Sequence, residues 1–228
     1  MSDESTPKGR IVAAALALAA ERPWRDVTLR DIGERCGLGL AGLREHVHAK
    51  GDVVALIARD IDDKVLAQLP PLEPGDAKRD RLFEVLMARF DVLSPHKPAI
   101  RSIVADATTE PAAVRAMLAS QGWMLQAAGI DSGGLSGGVR VAGLSTVYAS
   151  VLRTWLDDDD PGMARTMAAL DRRLRRGERT LAAVDDAART AQRIGEGLAS
   201  LVSSVASRRE RSTTSAAADA APRTDAAT

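Results

Sequence analysis

The stretch TLRDIGERCGLGLAGLREHVHAK, residues Thr28 to Lys50, reads as two short helices joined by a tight turn. Thr28 is placed to cap the first helix, with Asp31 three residues on as its capping-box partner and Ile32 on its buried face. Cys36-Gly37-Leu38 interrupts the pattern, because glycine tolerates the left-handed conformation that closes a helix and lets the chain reverse. A second helix is expected over roughly Gly39 to Val47. Leu40, Leu43 and Val47 recur at helical spacing, which predicts one buried stripe with Arg44, Glu45 and His48 turned outward. Two helices so joined form a helix-turn-helix, whose second helix enters a DNA major groove.

Working outward, a first helix is expected from about Lys8 to Glu21, with Ile11, Val12, Ala15, Leu16 and Ala19 on its core stripe and Pro23 stopping it. Trp24 then covers the core of this small module. From Asp52 a long helix carries Val53, Leu56, Ile57, Ile61, Val65 and Leu69, and couples the module to the rest of the chain. The Pro-rich loop Pro70 to Gly75 is the clearest boundary that follows. Beyond it, helices are expected over Ala77 to Ser94, Ala99 to Ala107, Pro111 to Ala128 and Val139 to Leu156, with DSGGLSGG (131–138) as a loop. That glycine run lacks the Lys-Ser or Lys-Thr of a phosphate-binding loop and follows no strand.

Asp157 to Asp160 fail the alternating spacing of a calcium loop, whereas Asp160 before Pro161 suits a helix cap. Met163, Met167, Leu170 and Leu174 form the apolar face of the next helix, and Arg165, Arg172, Arg173, Arg175 and Arg176 its solvated sides. Near-heptad apolar spacing from Leu181 to Val205 predicts an amphipathic helix over 180–206, weakened by Gly195 and Gly197. Residues 207–228 are mostly Ala, Ser, Thr, Arg and Asp, the composition of a disordered tail.

With 228 residues, 45% of them hydrophobic, the chain can bury a sizeable core, and no strand is expected anywhere in it. The net charge is zero, yet Lys8 to Lys50 holds eight Lys or Arg against five Asp or Glu, a local balance that permits DNA binding. A single cysteine, Cys36, excludes an internal disulfide and a multi-cysteine metal site, and reads as a small buried residue. The polar start MSDESTPKGR is no signal peptide, and no apolar run looks long enough to cross a bilayer, so a cytoplasmic location is expected. His46, His48 and His96 make no ligand spacing with carboxylates, and no Ser-centred nucleophile elbow occurs. Neither catalysis, nor a metal, nor a cofactor is expected.

RIVAAALALAAERPW and TLRDIGERCGLGLAGLREHVHAKGDVVALI, spanning roughly Arg10 to Ile57, resemble the amino-terminal domain of TetR-type transcriptional regulators. The resemblance implies an all-helical, TetR-like fold: a three-helix DNA-binding domain over 1–50 and a larger helical ligand-binding and dimerisation domain over 51–179. It implies a repressor-like regulator, a homodimer joined through Val139 to Leu156 and Met163 to Arg176, that binds an operator through Thr28, Arg30, Leu40, Arg44, Glu45, His48 and Lys50. Lys50 matches the family's phosphate-contacting lysine. The chain departs from the family in its recognition helix, where Gly39, Gly42 and Arg44 stand in place of a Ser, a Thr and a Tyr. A helical glycine costs about 1 kcal/mol relative to alanine and supplies no donor; Arg44 is expected to compensate by pairing with a phosphate or a guanine.

A second stretch, VYASVLRTWLDDDDPGMARTMAALDRRLRR, is similar to the carboxy-terminal part of the TetR-fold lipid-binding accessory proteins of ubiquinone biosynthesis. That resemblance implies an isoprenoid lipid in place of an operator, and peripheral membrane contact through a late amphipathic helix, for which 180–206 is the candidate. Dimer packing or a mobile appendage explains that segment equally well. For either function the larger domain is the expected chamber for an apolar small molecule. Its candidate lining is Met87, Phe90, Met117, Trp123, Met124, Tyr148 and Trp155, on helical faces with few charges.

Overall fold

The computed structural model describes residues 5–107 and 110–177, and among them every regular element is a helix. The amphipathic segment expected over 180–206 and the tail 207–228 lie outside the described residues. Helix α1 (Pro7–Glu21) starts at Thr6, whose hydroxyl accepts the Gly9 N–H at 3.0 Å. It packs on α2 (Leu29–Arg35), α4 (Lys50–Gln68) and α6 (Lys97–Ala107), so its core stripe widens to take in Ala14 and Leu18 as well as the expected residues. Trp24 opens a short 3-10 turn, Trp24–Asp26, and is 1% exposed.

Helix α4 runs from the helix-turn-helix into the larger bundle, burying Val53, Ile57, Ile61 and Val65 while packing on α1, α5 (Lys78–Leu93) and α7 (Pro111–Ala127). Helix α8 (Gly134–Leu156) lies on α7, and α9 spans residues 164–177. Between them, Asp160 accepts the N–H groups of Gly162 and Ala164, the cap its sequence position implies. Asp158 is buried, with one carboxylate oxygen accepting from both the N–H and the hydroxyl of Thr166 at 2.8 and 2.7 Å.

Several expectations need correction. The second helix of the motif, α3, ends at Arg44 rather than Val47: with two glycines it is only Gly39–Arg44, and the chain continues as a turn. The 131–138 run is not all loop, since α8 begins at Gly134. A side chain at Gly137 would meet the Ser132 backbone at 2.1 Å, so the glycines let the helix start beneath its own entry loop. Helix α8 is also long and apolar enough, by length and composition, to cross a membrane, contrary to the expectation that no such run exists. Its inward residues Leu144, Tyr148, Val151 and Trp155 are nevertheless core. On α7, Val114, Leu118 and Trp123 face solvent instead of the core, and on α9 Met167 does the same, while Thr166 and Ala169 are buried.

Candidate functional site

Two regions carry the candidate residues. The first is the helix-turn-helix. Thr28 forms the expected capping box: its hydroxyl accepts the Asp31 N–H at 3.2 Å, and Asp31 Oδ2 accepts the Thr28 N–H and hydroxyl at 2.8 and 2.7 Å. The Thr28 hydroxyl foremost, then the Thr28 N–H, and then Arg22, whose guanidinium lies 2.8 Å from Asp31 Oδ2, hold the Asp31 pKa down to about 2. Because the folded value lies below the ordinary 3.8, the stabilisation is present above that value and is lost as pH falls towards about 2. Thr28→Ala is expected to cost about 1 kcal/mol in urea unfolding. Asp31→Asn is expected to remove the acid-side loss between those two pH values.

Gly37 and Gly39 both take left-handed backbone, with φ of 70° and 62°. This turn brings α3 against α2 so closely that a side chain at Gly33 would approach the Gly39 carbonyl oxygen at 2.9 Å. The Gly39 backbone thus packs on α2, and Leu40, expected on the buried stripe, is 48% exposed, whereas Leu43 and Val47 are buried as expected. Arg30, Arg44, Glu45 and His48 are exposed. The Thr28 hydroxyl is committed to its cap. Lys50 is placed differently from a free phosphate contact: its ammonium donates to the Trp24 carbonyl and lies 4.6 Å from the centre of the Trp24 ring. Burial lowers its pKa, against the opposing influence of Glu110, Asp106 and Asp26.

The second region is the larger bundle, whose interior is not the weakly charged chamber that periodicity implies. Phe90 stacks on Tyr148 at 5.5 Å and lies 5.6 Å from Trp155. With Met124 these residues are buried core, while Met87 and Met117 are half-buried. Beside them sits a buried polar cluster. Arg89 donates to the Tyr148 hydroxyl at 3.0 Å and to Asp62 Oδ1, which also accepts the Ser120 hydroxyl at 2.8 Å. Burial disfavours the Arg89 charge, but Tyr148 and Asp62 outweigh it and raise the pKa.

Asp62 and Ser120 line a groove of 530 Å³ between α4 and α7, with walls that include Ala55, Ala58, Ala112, Ala116 and Ala119. Arg59, Asp63 and Arg115 also line it, and so does Trp123, which is 55% exposed and is the one expected ligand residue found there. Asp62, Arg89 and Ser120 escaped the sequence reading, although a signal existed. Arg89 falls on the same helical stripe as Leu82, Leu86 and Leu93, a position where a charge must be paired.

Helix α6 joins the two regions. Its Ser102 hydroxyl accepts the Trp24 N–H at 2.8 Å and Asp106 accepts the Arg25 N–H at 2.9 Å. From the same helix, Lys97 donates to the Asp158 carbonyl and Arg101 to that of Leu156, at the end of α8.

A helix-turn-helix continuous with a larger helical bundle defines the class, and comparison with solved structures gives it a name. The fold is similar to that of a TetR transcriptional regulator from Nitrosomonas europaea ATCC 19718, with a TM-score of 0.59 and 20% identity over 76% of this chain and 98% of that one. A TetR transcriptional regulator from Rhodococcus sp. RHA1 gives a TM-score of 0.57 and 18% identity, over 74% of this chain and 93% of the other. The chain has the TetR-like fold. Residues 113–180 also match the COQ9 family model. No curated protein sequence matches the chain.

Proposed function

We propose that the protein is a homodimeric DNA-binding transcriptional regulator, a repressor whose hold on its operator responds to a small ligand, and not an enzyme. The observation that carries this reading is α3. Gly39 packs closely on Gly33 of α2, and Leu40, Arg44 and Glu45 are left outward, a face of the kind that lies in a major groove. The test is binding to the DNA upstream of the protein's own gene across a series of salt concentrations. Arg44→Ala is expected to reduce the slope of log affinity against log salt by about one, the share of one released counterion. An unchanged slope removes Arg44 from the phosphate contacts.

Dimerisation is assigned to the outer face of α8. Leu135, Val139, Ala142, Thr146 and Ala149 lie exposed along it without an intervening charge on that face, and Met167 of α9 is exposed too. Two-fold pairing gives two recognition helices for two half-sites. Light scattering at micromolar concentration is expected to report a dimer. Val139→Asp is expected to yield a monomer with weakened operator affinity, and a monomeric wild type overturns the dimer.

The α4–α7 groove is the assigned ligand site. Its alanine walls and Trp123 suit an apolar body, and the charged side chains of Arg59, Asp62, Asp63 and Arg115 suit a polar group on it. A second reading is favoured by the COQ9 match over residues 113–180: a protein that binds an isoprenoid lipid, contacts the membrane peripherally and no longer engages DNA. The same DNA titration separates the two, because absence of sequence-selective binding counts against the regulator and favours the lipid protein.

A further inference from the structure

The outward surface of α3 is poor in hydrogen-bonding groups. Gly39 and Gly42 have no side chain, so Arg44, with Glu45 just past the helix end, supplies its polar side chains, and Leu40 and Ala41 lie exposed before them. Among the described residues up to Lys50, Leu40 is the large apolar side chain left in solvent, at 48% exposure. It lies outside the packed face of the helix. The Gly39 carbonyl takes the place against Gly33, and the core positions of this segment belong to Leu43 and Val47, each 2% exposed.

A leucine in a major groove has no hydrogen bond to offer. The apolar feature that groove presents is the C5-methyl of thymine, which unmodified cytosine lacks. Resting on the regulator reading above, we propose that Leu40, with Ala41 beside it, reads thymine methyl groups, so that each operator half-site carries thymine at the base pairs facing these two residues. Specificity there comes from methyl burial, and Arg44 supplies the charged contact that α3 otherwise lacks.

The test uses the full-length protein to select sites from a pool of random-sequence duplexes. The selected sites are resynthesised with deoxyuridine replacing thymidine one position at a time, which deletes the methyl and leaves base pairing intact. At one or two positions per half-site, the wild type is expected to lose about fourfold in affinity for each methyl removed. Leu40→Ala is expected to shrink that loss, because its shorter side chain no longer reaches the methyl. Equal binding of thymidine and deoxyuridine sites overturns the methyl reading and leaves DNA binding standing. A full deoxyuridine loss retained by Leu40→Ala overturns the assignment to Leu40. If no sequence is enriched from the pool, the regulator reading itself is overturned, and this inference with it.

Discussion

Asp62→Ala is expected to destabilise the protein by about 3–5 kcal/mol, because it leaves the Arg89 guanidinium buried without its countercharge. Arg89 is 4% exposed and Asp62 6%, so water cannot readily replace the lost partner. The Tyr148 and Ser120 hydroxyls remain nearby, but hydroxyl contacts do not replace a lost carboxylate beside a desolvated guanidinium. Arg89→Leu is expected to be similarly harmful through the stranded carboxylate. The combination Asp62→Leu with Arg89→Leu is expected to recover most of the loss, since apolar replacement of a whole buried pair is commonly neutral or better. Urea unfolding of the three variants measures this. If Asp62→Ala costs under about 1 kcal/mol, water entering along the α4–α7 groove screens Arg89, and the cluster is wet.

The second large effect separates core from ligand site. Phe90 is fully buried between Tyr148 and Trp155, so Phe90→Ala is expected to cost about 3–5 kcal/mol whether or not a ligand is present. Trp123→Ala is expected to change stability by no more than about 0.5 kcal/mol, as for an ordinary surface position, and to weaken ligand binding. Trp24 and Trp155 are each 1% exposed, which leaves Trp123 as the tryptophan whose emission reports the groove. Mass spectrometry of small molecules carried through purification identifies candidate ligands. If such ligands raise the melting temperature of the Trp123→Ala variant as much as that of the wild type, the groove is not where they bind.

The helix-turn-helix was legible from sequence because its signals are local. Thr28 with Asp31, and Gly37 in the turn, each act within a few residues, and the structure reproduces them. Leu40 was misplaced on the buried stripe for a non-local reason: its helical position is right, but the backbone of Gly39 meets α2 first. In the larger bundle, periodicity found most of the helices and failed on what lies inside them. Met117 and Met124 share a stripe with Gln121, whereas Trp123 is one residue off it and therefore points outward. The Arg89–Asp62 pair joins residues 27 apart in sequence, a pairing that no local spacing specifies.

Helix α6 has a thermodynamic consequence. It grips the backbone after Pro23 with Ser102 and Asp106, and the backbone that leaves α8 with Lys97 and Arg101, all within one three-turn rod. Helix α6 thereby links the end of α8 to the segment that holds Trp24, whose carbonyl in turn accepts from Lys50 at the root of α4. Linkage makes any such coupling reciprocal: if a ligand in the bundle lowers operator affinity tenfold, the operator must lower the affinity for that ligand tenfold as well. Bound to its operator, such a protein needs about ten times more ligand for half-occupancy than when free, so the threshold of the switch is set partly by the DNA.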